Sequence, residues 1–247
     1  MYVPKTKKLL TTNAKLNKES GFTVRGLDLA PGNSSGREVC PEKGACYDVC
    51  IGFYSGFHVM DSVRQAQKNR TNWFFEDRAS FLEQLHKELR ALEKQPNPAC
   101  RLNVDSDLAW ESIDRTLFDY NIMFYDYTKR FNRAMKSLTH PDWPENYTLT
   151  YSWNERSDKR KVNRFLKMGG NINMVHATRY KADNLLGIPS TMKIGTKVWE
   201  TRDFDKQDVR IPEKDGKGVV GLVRAKIKTS IIPEYVEKGF FVEGNKV

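Results

Sequence analysis

Four short runs decide the fold: RLNVD (101–105), IMFYDYT (122–128), TLTYSW (148–153) and INMVHAT (172–178). Each is rich in β-branched, aromatic or aliphatic residues and short enough to be a strand. Between them, apolar residues recur at helical spacing. Ile113, Leu117 and Phe118 fill the first gap, and Phe131, Ala134, Met135 and Leu138 the second. Val162, Phe165 and Leu166 fill the third, where Gly169-Gly170 supplies a helix stop. Strands alternating with helices predict βα units on a parallel sheet, either a barrel or an open sheet.

The same rhythm extends in both directions. FTVRGLDLAP (22–31) reads as a first strand stopped at Pro31-Gly32, and Val59, Val63, Ala66 and Trp73-Phe74-Phe75 mark a helix over 59–75. Ser80 and Glu83 form a capping box ahead of Phe81, Leu82, Leu85, Leu89 and Leu92, and Pro96 and Pro98 end that helix. TKVWE (196–200) and GVVGLVRA (218–225) add later strands. Residues 1–20 are basic and polar and read as an irregular arm. With no internal repeat or low-complexity linker, the 247 residues are expected to form one α/β domain, a size common for βα barrels.

Three of the four cysteines, Cys40, Cys46 and Cys50, lie in VCPEKGACYDVCIGFYSGF (39–57), spaced C-x5-C-x3-C. They occupy the loop after the first strand, so 30–58 reads as a metal-binding cysteine loop. Pro41 and Gly44 bend the backbone, and Tyr47, Phe53, Tyr54 and Phe57 are placed to cover a centre. The chain opens MYVPKTKKLL without a secretory apolar run, so clustered thiols point to metal or redox chemistry. Three thiolates suit a [4Fe–4S] cluster with one open iron. Structural zinc is the alternative, with His58 or Cys100 as fourth ligand. Cys100 reads as a buried thiol at the other end of the strands.

In βα folds the active face is built from strand C-termini. That places Asp105, Ser106 and Asp107 beside the cysteine loop as candidate cofactor contacts, with Asn154 and Glu155 after a later strand. Asp105, Asp107, Asn154 and Glu155 have helix capping as the competing role. Lys129, Arg130 and Arg133 form one basic group, and Arg156 and Arg160 belong to another. Cations at helix N-termini oppose the helix dipole, which favours a bound anion there. His176 reads as a core histidine.

Lys and Arg number 41 against 31 Asp and Glu, a formal charge of +10. That excess favours an acidic partner, a nucleotide or nucleic acid. No stretch approaches the ~18 apolar residues of a membrane span.

CPEKGACYDVC (40–50), CRLNVDSDLAWE (100–111), MFYDYTKR (123–130), TLTYSWNE (148–155), KVWETRDFDKQD (197–208) and GVVGLVRAK (218–226) together resemble a bacteriophage family, gene product eighty-eight of mycobacteriophages and its relatives. The likeness spans about residues 22–228. It implies a phage protein made in the host cytoplasm, with a cysteine motif suited to an iron–sulfur cluster. A second likeness is to the radical S-adenosylmethionine superfamily, which holds a three-cysteine [4Fe–4S] cluster after the first strand of a partial βα barrel. This implies a barrel of that type and S-adenosylmethionine as cofactor. The chain departs from that superfamily in spacing, which there is C-x3-C-x2-C, and in lacking its Gly-Gly-Glu at the second strand. Two functions follow: an iron–sulfur enzyme acting on a nucleotide or nucleic acid, or a non-catalytic nucleic-acid-binding protein whose metal is structural.

Overall fold

The computed structural model describes residues 6, 8–12, 16, 21–54, 56–179 and 187–247. Among the described residues, ten strands form one mixed sheet: β1 (Leu10–Thr11), β2 (Thr23–Leu27), β3 (Pro98–Arg101), β4 (Met123–Thr128), β5 (Tyr147–Ser152), β6 (Ile172–Arg179), β7 (Thr191–Ile194), β8 (Lys197–Asp203), β9 (Val220–Ala225) and β10 (Phe241–Val242). Their order is β1-β2-β3-β4-β5-β6-β9-β8-β7, with β10 also on β6. The α/β class and the parallel pairing are as the alternation predicts. The barrel is not: the sheet stays open, because antiparallel β1 lies along β2 and antiparallel β7 along β8 at the two ends of the order.

Two compact units divide the chain, and neither is continuous in sequence. The first comprises residues 1–43, 50–126 and 142–148, the second 44–49, 127–141 and 149–247.

In the first unit β2 pairs in parallel with β3, and β3 with β4. Its helices are α1 (Ile51–Tyr54), α2 (Asp61–Glu76), α3 (Arg78–Glu93) and α4 (Trp110–Ile113). The apolar stripe of α3 is as predicted, since Phe81, Leu85, Leu89 and Leu92 are buried. Its start differs. Asp77 is the cap, its carboxylate accepting from the Ser80 amide at 3.2 Å, so Ser80 lies inside the first turn. Phe74, Phe81 and Trp110 pack as an aromatic core, Phe74 edge-on to both others at 5.3 Å. The arm expected to be irregular contributes β1 and buries Leu9, Leu10 and Leu16, because these apolar side chains have a core to enter. Lys5, Lys7, Lys15 and Lys18 of that arm lie outside the described residues.

The strand predicted over 101–105 is displaced. The ladder uses Pro98–Arg101, and 102–109 is an irregular loop. Asn103 explains the exit from the sheet: its backbone amide donates to the Asp126 carboxylate at 2.7 Å, and its side-chain amide donates to Asp126 and to the Leu108 carbonyl. Cys100 is fully buried within β3.

The second unit pairs β5, β6, β9 and β8 in parallel around α5 (Phe131–Thr139), α6 (Lys159–Lys167), α7 (Pro212–Asp215) and α8 (Ile232–Glu237). Its main core joins Tyr151, Trp153, Phe165, Met174, Met192 and Leu222. A smaller cluster joins Val49, Ile232, Tyr235, Phe240 and Phe241, with Ala45 and Cys46 packed against it. Gly169, at φ +93°, ends α6 in the left-handed conformation that favours glycine. Among the described residues no helix is long and apolar enough to cross a membrane.

Candidate functional site

The carboxyl ends of β2 and β3 meet the cysteine loop in the first unit. Asp28 directly follows β2, and Asp105 lies in the loop after β3. The Asp107 amide donates to the Val39 carbonyl at 2.8 Å, and the Cys40 thiol donates to the Asp105 carbonyl at 3.5 Å. The Cys40 amide donates to Glu38, whose other carboxylate oxygen pairs with Lys43. Gly52 in α1 permits close approach, because a Cβ there would stand 2.8 Å from the Asp105 carboxyl. The second strand end therefore does lie beside the loop, as its position in a parallel sheet requires.

The Asp105 carboxyl turns toward two partners that sequence reasoning places differently. His58 Nε2 lies 3.2 Å from Asp28 Oδ2 and 3.3 Å from Asp105 Oδ2. His58 Nδ1 lies 3.2 Å from the Ile51 carbonyl oxygen. A carbonyl oxygen only accepts, so Nδ1 carries the hydrogen. Gln67, buried on α2, donates to Asp28 at 2.8 Å and to Asp105 at 3.4 Å. Among the described residues, Asp28, His58 and Asp105 are the group whose potential ligand atoms all lie within 4.8 Å of one another. The cysteines are not part of it.

Burial and charge set the protonation of this group. Burial, then the Asp28 carboxylate beside it, pushes Asp105 up to about 8. Burial alone would raise Asp28 too, but hydrogen bonds from His58 and Gln67 outweigh it and hold Asp28 below the usual carboxylate range. The hydrogen bond to Asp28 lifts His58 to about 9 against the opposing effect of burial. At neutral pH, protons on His58 and Asp105 thus offset the two carboxylates. From sequence, His58 enters only as a fourth ligand for zinc, and nothing singles out Asp28 or Gln67. A signal for Asp28 does exist: it stands at the end of the first parallel strand, the kind of position that identifies Asp105.

The other expected cofactor contacts separate into two sets. Ser106 donates to Asn103 Oδ1 at 2.9 Å and braces its own loop. Asp107 does not cap α4; Ala109 holds that position without a side-chain bond. In the second unit, Asn154 Oδ1 accepts from the Arg156 amide at 2.8 Å, a local turn. Glu155 does reach the cysteine loop: its Oε1 accepts from the Ala45 amide at 3.1 Å, in space left by Gly44.

The five basic residues all belong to the second unit. Arg156 and Arg160 are exposed, Lys129 and Arg130 half-buried, and Arg133 buried. Lys129 donates to Ser152 Oγ at 3.2 Å and lies over the Phe240 ring. The α6 N-terminus already has an anion, since Asp158 accepts from the Arg160 and Lys161 amides at 2.8 and 3.0 Å. Tyr125 and Trp153, aromatic residues close in sequence to these groups, are core residues and are not presented for stacking on a base. His176 is a satisfied core histidine, with Nε2 at 3.0 Å from the Gly244 carbonyl and Nδ1 at 2.8 Å from Thr178.

Cys40, Cys46 and Cys50 are partly exposed free thiols, whereas Cys100 is buried and burial pushes its thiol well up. The three outer cysteines are therefore reachable from solvent, and the fourth is not. A family model described as gene product 88 matches residues 4–234. No curated protein and no solved structure matches the chain.

Proposed function

The chain belongs to the gene product 88 family, which supports its being a bacteriophage protein, and we propose that it is an iron–sulfur protein acting on a nucleotide or nucleic acid in the host cytoplasm. Cys40, Cys46 and Cys50 hold a [4Fe–4S] cluster in this proposal. The observation that carries it is the Cys40 thiol 3.5 Å from the Asp105 carbonyl, where a three-thiol loop follows the first parallel strand. Cys46 joins the set by its sequence spacing, and the Val49–Phe240 cluster gives it apolar cover. Soft thiolates suit iron–sulfur chemistry, and the cluster when bound supplies electron transfer and an open iron for a small molecule such as S-adenosylmethionine. Glu155 keeps the loop in place through the Ala45 amide.

Iron and acid-labile sulfide per chain in anaerobically purified protein, with electron paramagnetic resonance with and without S-adenosylmethionine, test this. Cys40→Ala, Cys46→Ala and Cys50→Ala are expected to lose iron, and Cys100→Ala to keep it. A colourless protein containing zinc would overturn the cluster. An unperturbed reduced-cluster signal at saturating S-adenosylmethionine would remove that cofactor and the radical-enzyme chemistry.

The second reading, a nucleic-acid-binding protein with structural metal, is favoured by the exposure of Arg156 and Arg160. Removing an arginine that neutralises one phosphate should lower the salt slope of binding by about 0.7–0.9. An Arg156→Gln, Arg160→Gln variant with unchanged affinity and slope would exclude these two residues from any such interface.

A further inference from the structure

We propose that Asp28, His58 and Asp105 bind one divalent first-row transition cation, separately from any cluster on the cysteines. Three donors converge from three different segments, two carboxylate oxygens lying 3.2 and 3.3 Å from one imidazole nitrogen. The imidazole is already oriented for it. Nδ1 donates to the Ile51 carbonyl, so Nε2 is the atom aimed at both carboxylates. Gln67 supplies the outer partner that metal-binding carboxylates usually have, donating to Asp28 and Asp105.

Charge gives an independent reason. Asp28 and Asp105 are 8% and 7% exposed, and two ionised carboxylates so enclosed need positive charge beside them. A dication held between the two carboxylates supplies it. The donor set selects the class. One imidazole and two carboxylates suit manganese(II), iron(II) or zinc(II), whereas calcium favours all-oxygen sites and magnesium retains several waters. Gln67 also lines a cavity of ≈ 430 Å³ with Pro31, Phe53, Arg64 and Lys68.

Manganese(II) is the discriminating probe, because thiolates compete poorly for it and its free-ion resonance signal reports binding directly. Chelator-stripped full-length protein is titrated with manganese(II) while cluster iron and sulfide are assayed separately. The expected result is one manganese per chain and a melting temperature that rises with manganese concentration. His58→Gln and Asp105→Asn should each weaken binding at least 100-fold with cluster iron retained, and Gln67→Met by 10- to 100-fold. Melting curves of each variant separate lost ligation from lost folding. No saturable binding by the wild type of manganese(II), iron(II) or zinc(II) at millimolar concentration overturns the site. So does wild-type affinity in a folded His58→Gln, Asp105→Asn double variant. Because manganese and cluster iron are counted separately, either assignment can fail while the other stands.

Discussion

Gly44→Ala is expected to detach Glu155 from the cysteine loop. A Cβ at residue 44 would stand 1.9 Å from Glu155 Oε1 and 3.0 Å from its Cδ. To restore ordinary contact at 3.4 Å the carboxylate must retreat by about 1.5 Å. That movement stretches the 3.1 Å bond from the Ala45 amide beyond hydrogen-bonding range. A charge-assisted bond contributes ~1.5–3 kcal/mol, and with the Glu155 side chain 21% exposed the lower half of that range applies. The expected loss is therefore about 1.5–2.2 kcal/mol, or roughly 3–9 °C in melting temperature at this chain length. The measurement is a double-mutant cycle by urea unfolding with Glu155→Ala. Once Glu155 is truncated, the nearest remaining neighbour of the new methyl group is Arg156 Nη2 at 3.2 Å, the flexible end of an exposed side chain that needs to give by only a few tenths of an ångström. Gly44 is not among the glycines with positive φ, so alanine there should be neutral or stabilising by up to ~1 kcal/mol. If Gly44→Ala costs as much in the Glu155→Ala background as in the wild type, Glu155 does not hold the loop.

Thiol labelling of metal-free native protein should modify Cys40, Cys46 and Cys50 but not Cys100 until unfolding; rapid labelling of four thiols would contradict the burial of β3. Gly221→Ala places a Cβ 1.9 Å from the Phe204 ring in the buried strand β9 and should destabilise by about 3 kcal/mol, measured by chemical denaturation. Asp126→Ala leaves the Asn103 amide and the Tyr147 hydroxyl without their buried acceptor and should cost ~3–5 kcal/mol, a loss under 1 kcal/mol arguing against the bracing role. Burial would raise Asp114, but hydrogen bonds from Thr116 and His86 outweigh it and hold its pKa down. Its stabilisation is then full above the unfolded value near 4 and lost as pH falls through the lower folded value. Asp114→Asn should flatten that acid limb, and an unchanged slope of stability with pH would refute the depression.

The strands and helices are legible wherever packing follows local pattern, as at β4, β5, β9 and α3. The exceptions have local causes. RLNVD looks like a strand because Leu102 and Val104 alternate with polar residues, yet Asn103 finds better partners in Asp126 and Leu108 than in a ladder. Ser80 and Glu83 match a capping box, but Asp77 stands three residues earlier and takes the amide first. Openness of the sheet depends on β1 and β7, strands of two and four residues, too short for periodicity to declare. At the candidate site, the strand-end rule locates Asp105 and applies equally to Asp28. His58 and Gln67 escape it, since their approach depends on how α1 and α2 fold back over the strand ends.

The interleaving of the two units bears on how the protein emerges from the ribosome. The first unit lacks its last segment until Thr148 has been made, and the second draws residues 44–49 from sequence synthesised long before the rest of it. Phe241 lies ninety-three residues beyond Thr148, which at 5–20 residues per second is roughly 5–20 s of synthesis. During that interval Cys40 and Cys50 belong to a unit that can already close, while Cys46 waits on a segment with no completed partner. Tyr235, Phe240 and Phe241, which line the apolar cluster beside Cys46, are translated only well after Thr148. A stop between Thr148 and α8 therefore yields a chain with every cysteine present and the apolar cover of Cys46 missing.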